Sequence, residues 1–526
     1  MEATRYFAPD DKGVAMADIL LTADRSLMND FHLNWDISQF FYGQGESLPG
    51  WYMAIAGQGP SLEDGRVRFA PYPLRKVEAR ILDLGHDVSV ISPRQIPKMV
   101  PGAKVLGIHT VNPLGLATAV YLTQFLGKGQ KGAAHHFREL LRSEAIRKAR
   151  RDGLKVIIGG QGAWQLERTP AMMDELGIDC VIVGEAELVI EDVLLNALDG
   201  RPLPRVVRVG PEQTPDIDQI PKIRHPSSGG CIEIGRGCPR HCKFCEVSKP
   251  MLRWYPLEKI ERELRVNAQG GMTHGMLHAE DVFLYGQRSV VPKKERVLDL
   301  VRLAQRYYEA FHLTHVSIAS SLAAPRMIED FMELVLRKQD FMLVEIGLET
   351  GSPRLLGKLM RSKVRPFCPE RWVELIHEAL GRMHDSMLMP ICSIIFGLPE
   401  ETVSDRERTL ALVDGLKDYR CILFPVNFVP LGSLNENEAQ SRTLRDLNRL
   451  ESEILFKCVE HDFKWVKKSL RRLLNRSRYR FFIDILVRLW MAQFRKRAAR
   501  CRKETRYDGA DELEKGQELV RAVGYD

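Results

Sequence analysis

Short apolar runs rich in β-branched residues alternate with helical segments along most of this chain, and that alternation restricts the fold more than any other feature. DILLTAD (18–24) reads as a strand, YPLRKVEARILDLG (72–85) as a helix, and DVSVISP (87–93) and KVLGIHT (104–110) as strands. After a longer helical insertion come KVIIGG (155–160), the helix TPAMMDELG (169–177) and CVIVGE (180–185). These strands lack the polar–apolar alternation of a half-exposed sheet. They predict a parallel sheet covered by helices on both faces.

A second block of the same kind follows a Pro-rich stretch without helical period (201–229), which reads as a linker. Its strands are expected at 231–237, 275–286, 315–321, 341–349, 387–397 and 421–432, with helices between them such as KKERVLDLVRLAQRYYEAF (293–311). Six β/α units without a seventh or eighth predict a partial, open (β/α)6 barrel over 230–432. The first block, 1–200, is then a Rossmann-like doubly wound α/β domain with an N-terminal extension, and 433–526 is a basic helical C-terminal region. Ligands in both architectures sit at the carboxyl ends of the strands, so those ends are the places to examine.

Composition narrows the setting. At 526 residues and 44% hydrophobic, the chain is too long for one core and apolar enough to fold throughout. No stretch of eighteen apolar residues occurs, and the opening MEATRYFAPDDKG lacks a signal-peptide layout, so a cytoplasmic protein without a membrane partner is expected. Ten cysteines are too few for a disulfide scaffold, and three of them lie within residues 238–245, which points to metal or redox chemistry. The net charge of +7 concentrates between Lys464 and Lys503, where Lys and Arg mix with apolar residues at helical spacing. That stretch suits a helix pair packed on the body, or a docking face for an acidic protein, better than a nucleic-acid surface.

The three cysteines form Gly237-Cys238-Pro239-Arg240-His241-Cys242-Lys243-Phe244-Cys245, a C-x3-C-x2-C run after the first strand of the second block. Three thiolates on one loop can ligate three irons of a cubane and leave the fourth open. A Cys3His zinc site using His241 or another nearby His is the other chemistry such residues support. The spacing, the aromatic before the last cysteine and the position after the first strand resemble the radical S-adenosylmethionine (SAM) superfamily. That resemblance implies that Cys238, Cys242 and Cys245 hold a 4Fe-4S cluster, that SAM binds the open iron, and that reduction releases a 5′-deoxyadenosyl radical. The other strand ends are similar to segments of the same family. Glu280 or Asp281, after the second strand, is placed to receive the SAM ammonium group; Ser317 and Ser320, with Ser321, are expected to end the third strand near the ribose. Gly347-Leu348-Glu349-Thr350-Gly351-Ser352 closes the fourth and offers Glu349, and Gly397 after the fifth is expected beside adenine. The likeness covers about residues 230–432.

In the first block, the turn Gly159-Gly160-Gln161-Gly162 and the strand end Val183-Gly184-Glu185 resemble the cobalamin-binding domain fused ahead of such barrels. Glycines there let the backbone approach a bulky cofactor. The Asp-x-His-x-x-Gly frame of cobalamin domains that place a histidine on cobalt is absent: Asp30-Phe31-His32 lacks the glycine, and His109 has no such frame. No histidine is therefore expected on cobalt, and the lower face is assigned to loops including Pro113, Leu114, Gly115 and Leu116.

Together these resemblances imply a cobalamin-dependent radical SAM methyltransferase acting on an unactivated sp3 carbon. The opening ADILLTADRSLMND and the segments APYPLRKVEA and HTVNPLGLA are most similar to its archaeal branch, and within it to the glutamine C-methyltransferase that modifies methyl-coenzyme M reductase. The partners implied are a protein or peptide substrate, such as the alpha subunit of that reductase, and a ferredoxin- or flavodoxin-type electron donor. A cobalamin radical SAM cyclase or rearrangement enzyme, and an RNA- or protein-binding scaffold with a structural cluster, remain as alternatives.

Overall fold

The computed structural model describes residues 17–28, 62, 64–116, 131–246, 251–431, 434 and 446–473, with a few isolated positions between 481 and 496. Six parallel strands form the first sheet: β1 (Ile19–Ala23), β2 (Val88–Val90), β3 (Val105–His109), β4 (Lys155–Gly159), β5 (Cys180–Val183) and β6 (Val206–Arg208), in the order β2-β1-β3-β4-β5-β6. Successive side chains go to opposite faces and both are buried. Leu20, Leu106, Val156 and Ile158 join one apolar layer, while Ile19, Leu21, Val105 and Ile157 join the other. That division explains why the strands read as continuous apolar runs. β6 corrects the sequence reading, because it lies inside the stretch taken as a linker. Only three residues long and flanked by prolines and a glycine, it pairs through Val181 and Val206 at the sheet edge, where a weak strand suffices.

The second block is also parallel. β7 (Cys231–Glu233), β10 (His274–His278) and β11 (Ala310–Leu313) form one run, and β12 (Met342–Glu349), β13 (Leu388–Phe396) and β14 (Ile422–Asn427) another. The two runs join where Val316 N donates to Glu345 O at 3.1 Å and Glu345 N donates to Thr314 O at 2.8 Å, which gives a six-stranded open barrel. A short antiparallel ribbon, β8 (Gly235–Arg236) with β9 (Arg253–Trp254), closes the base of the cysteine loop. The third strand departs from expectation. It occupies Ala310–Leu313, not 315–321, and Ser317 instead caps the short helix Ile318–Leu322 by accepting from Ser320 N, with the capping box completed by the Ser320 side chain. The second strand likewise stops at His278, before the turn at Asp281.

Along β12, Glu345 and Gly347 are accessible from the barrel interior, whereas Val344, Ile346 and Leu348 pack outward against the helices. Trp372, Phe311 and Phe331 anchor that outer layer. The helix Arg449–Leu473 lies against β14, where Asp462 accepts from Leu423 N at 2.8 Å. Among the described residues no helix is long and apolar enough to cross a membrane.

Buried polar contacts lock the two sheets together. On the helix Tyr72–Asp83, Lys76 Nζ lies 2.5 Å from Glu263 of the helix Leu257–Gln269 and donates to Pro221 O at 2.7 Å, while Tyr72 Oη donates to Glu263 at 2.6 Å. Lys76 and Glu263 are both buried, so removing one charge strands the other in a dry site. Glu263→Gln is expected to cost about 3–5 kcal/mol in chemical denaturation, and loss of a single cooperative transition would accompany uncoupling of the two halves.

Candidate functional site

The cysteine loop spans the barrel mouth and is held from three sides. Arg240, between the first two cysteines, is almost wholly buried. Its guanidinium donates to Asp281 Oδ2 at 3.1 Å, to Ser317 Oγ at 2.9 Å and to Arg365 O at 2.6 Å. Lys243 N donates to Leu359 O at 3.0 Å, and the Phe244 ring meets Phe428, beyond β14, edge-on at 6.0 Å. His241 takes a left-handed backbone (φ 48°), uncommon for a residue with a Cβ, and its side chain is exposed. Among the described residues, the cysteine sulfurs and His241 do not form a group drawn within 4.8 Å, as one tetrahedral ion would require.

The thiols are electrostatically uncomfortable as they stand. Burial, then the charges of Asp281 and Glu280, pushes Cys238 up to about 12. Burial also raises Cys242, opposed chiefly by the Lys363 ammonium. Desolvated thiols of this kind become stable thiolates only when metal takes up their charge, so the loop fits a thiolate-held cluster.

The acids expected to face SAM divide into two kinds. Asp281 is 1% exposed, and its carboxylate accepts from Ser320 Oγ at 2.6 Å and Ser317 Oγ at 2.7 Å in addition to Arg240. Asp281, Ser317 and Ser320 therefore form a buried brace behind the cysteine loop, and Ser321 Oγ donates to Ser317 O within the same turn. Glu349 is also committed. It stands in a left-handed conformation (φ 64°) at a bulge in β12, 2.5 Å from Lys363 Nζ and 2.8 Å from Ser393 Oγ. Gly347 makes room for this pair: a Cβ there would lie 2.0 Å from Glu349 Oε1 and 2.4 Å from Lys363 Nζ. Glu280 differs, since it is partly accessible and has no hydrogen-bond partner among the described residues. Gly397 follows β13 directly, also left-handed and accessible at the strand's carboxyl end.

The carboxyl edge of the first sheet lies against this mouth. Glu185, after β5, pairs with Arg236 at 2.6 Å and with Arg253; Arg236 also reaches Glu187 at 2.8 Å and Glu233 at 2.9 Å. Across the mouth, Arg168 donates to Pro430 O, beyond β14, at 3.4 Å. Glu185 thus bridges to the barrel, and Gly184 packs under Val209 beside Val183. Gly160 and Gly162 pack against the His109 ring and the Val111 carbonyl, whereas a Cβ at Gly159 would meet nothing within 4 Å, and Gln161 is exposed. The loop Pro113–Leu116 is pinned by buried Gln165, whose Oε1 accepts from Leu114 N at 2.9 Å and Leu116 N at 3.4 Å; Gly115 there is left-handed. His109 is buried, and burial pulls its pKa down to about 4, which keeps the ring neutral. His32 lies outside the described residues.

Arg236, Arg240, Lys363 and Gln165 were not anticipated from the sequence. Arg240 carried a signal, a cation set between two thiolate ligands, and Gln165 another, an amide inside the apolar turn AWQLE.

Comparison with known proteins supports the same division. Residues 232–413 match the family model described as the Radical SAM superfamily, so this region is a radical SAM domain. A tRNA-2-methylthio-N(6)-dimethylallyladenosine synthase from Orientia tsutsugamushi (strain Boryong) is 21% identical over 360 residues, 66% of this chain and 77% of that protein. The enzyme of the same name from Bacillus subtilis (strain 168) is 27% identical over 267 residues, 48% of this chain and 50% of its own length. The fold is shared with a radical S-adenosylmethionine methyltransferase, TsrM, from Kitasatospora setae. The structure with cobalamin and a [4Fe-4S] cluster bound aligns with a TM-score of 0.51 at 14% identity, covering 78% of this chain and 75% of that one. The structure with tryptophan and a SAM analogue gives 0.50 at 15%, covering 77% and 72%.

One group in the mouth makes stability depend on pH. His315 Nε2 lies 3.0 Å from Glu345, and Glu280 and His278 are close by. Burial opposes the charged ring, but Glu345 and then Glu280 outweigh it and raise the pKa from 6.5 to about 9. A raised histidine contributes stability that is complete below its unfolded pKa and lost as pH rises through the folded one. Urea midpoints should fall between about pH 6.5 and about pH 9, and His315→Gln should flatten that dependence; an unchanged slope would show that the ring is not charged in the folded protein.

Proposed function

We propose that this protein is a cobalamin-dependent radical SAM C-methyltransferase, with the cluster and SAM in the barrel and the corrin on the carboxyl edge of the first sheet. The observation that carries this reading is the facing of two carboxyl edges across one mouth, tied on one side by Glu185 and Arg236 and on the other by Arg168 and Pro430 O. A substrate carbon must meet two reactive centres in turn, and a closed mouth between two rigid sheets provides that orientation.

Cys238, Cys242 and Cys245 hold the cluster in this reading. Glu280, partly accessible and unpaired, receives the SAM ammonium group, while Arg240, Asp281, Ser317 and Ser320 keep the loop from moving. The open face at Gly159 and the pinned loop Pro113–Leu116 would suit a broad, flat macrocycle, and His109, buried under Gly160 and held neutral, would act in this reading as a packing residue of that edge. When bound, the two cofactors supply a carbon radical and a methyl group, and the chain supplies position and exclusion of water. The finer reading is methylation of a glutamine in the alpha subunit of methyl-coenzyme M reductase, supported by the similarity of 17–30, 70–79 and 109–117 to the archaeal branch. A ferredoxin or flavodoxin is then the electron donor, with the basic stretch Lys464–Lys503 as a docking face for acidic partners in the cytoplasm.

Methylthiolation of RNA is the second reading, favoured by the names of the curated relatives. It requires a sulfur donor near the substrate, and residues 1–230 contain a single cysteine, Cys180, buried within β5. Anaerobic incubation of candidate glutamine-containing peptides, and in parallel of tRNA, with the protein, cobalamin, a chemical reductant and SAM labelled in its methyl carbon separates the readings. Expected are 5′-deoxyadenosine, labelled methylcobalamin and a peptide product gaining a methyl group. Wild type should bind about four irons, and alanine at Cys238, Cys242 or Cys245 should abolish SAM cleavage. A product gaining methyl and sulfur would establish the second reading, and deoxyadenosine without methyl transfer would indicate a rearrangement.

A further inference from the structure

We infer that Lys363 is a positioning residue for the cluster: its ammonium, fixed on the segment that the cysteine loop grips and within electrostatic reach of Cys242 and Cys245, raises the reduction potential of the cluster they hold. The inference rests on the cluster assignment made above.

The geometry makes this charge stationary. Lys363 lies on the segment following the helix Pro353–Leu359, and the cysteine loop grips that segment at three backbone oxygens: Lys243 N donates to Leu359 O at 3.0 Å, and Arg240 donates to Ser362 O at 3.5 Å and Arg365 O at 2.6 Å. Neighbours of Lys363 on both sides are thus tied to the loop that carries the ligands. Its side chain is only 13% exposed, and Nζ is fixed by Glu349, itself held by Ser393. Two features of the backbone exist around this pair: the left-handed turn of Glu349, which brings its carboxylate inward, and the absence of a side chain at Gly347. A strained residue and an obligatory glycine are a substantial outlay for one ion pair unless the ammonium itself has a task. Taking up one electron makes a cluster more negative, and a cation fixed nearby, away from bulk water, stabilises that state. Glu349 offsets part of this effect while holding the ammonium in place.

The test measures potential, without SAM or substrate. Wild type, Lys363→Met and Lys363→Arg are reconstituted anaerobically, iron is counted, and the midpoint is read by a redox titration followed by electron paramagnetic resonance. Lys363→Met with full iron and a more negative midpoint, together with Lys363→Arg close to wild type, is the expected result. Full iron with an unchanged midpoint in Lys363→Met overturns the inference and leaves the cluster assignment intact. Should Lys363→Met lose its cluster, Glu349→Gln decides: removing the opposing charge should move the midpoint positive, and an unchanged or more negative value overturns the inference. Wild type that takes up no iron overturns the inference together with the cluster assignment.

Discussion

Arg236 ties the two halves of this protein together two residues before Cys238, the first cysteine of the loop. It meets Glu185 and Glu187 from the first sheet and Glu233 from the barrel, while Arg253, its partner in the short ribbon, shares Glu185. All five side chains are largely shielded from water. Burying such a group is costly unless every charge is compensated, and a satisfied network of this kind permits few other geometries. Its consequence is positional: the start of the cysteine loop cannot shift relative to the carboxyl edge of the first sheet. A mouth shared by two sheets depends on that constraint.

Within the barrel the same logic repeats on a smaller scale. Arg240 fixes the middle of the loop to Asp281, and Lys363 and Glu349 stand behind its end. His241 and Glu349 both adopt left-handed backbones, and both lie at this loop or facing it. Strain of that kind persists only where surrounding contacts over-determine the conformation. The hydrogen bonds of Arg240 and the double grip on Glu349 supply that determination.

The architecture was legible because burial on both faces forces continuous apolar strands, and the turns between them carry few competing signals. Strand identity failed where local chemistry opposed the pattern. HVSIASS alternates like a strand, yet Ser317 and Ser320 cap a helix there, and the true strand is the fully buried AFHL just before it. β6 was unreadable because an edge strand three residues long needs no apolar run. The cysteine loop was legible from spacing alone. Its supporting cations were not, since an Arg or Lys in a sequence window reads as solvated, and only tertiary packing shows that Arg240 and Lys363 are enclosed.

The division among the acids has a general cause. A carboxylate that waits for a ligand must be tolerable before the ligand arrives, so it has to be hydrated or paired in the meantime. Asp281 is out of reach of water and is therefore saturated by Arg240 and two serines; Glu349, nearly as enclosed, is saturated by Lys363 and Ser393. Neither can turn to a ligand without abandoning a buried partner, which costs more than a new contact contributes. Glu280 keeps enough access to remain hydrated alone. Within this mouth the buried acids Asp281 and Glu349 are thus tied into the scaffold, and Glu280 is the acid left accessible beside them. Sequence places Glu280 and Asp281 side by side and cannot separate them, because the distinction lies in which way the chain turns after His278.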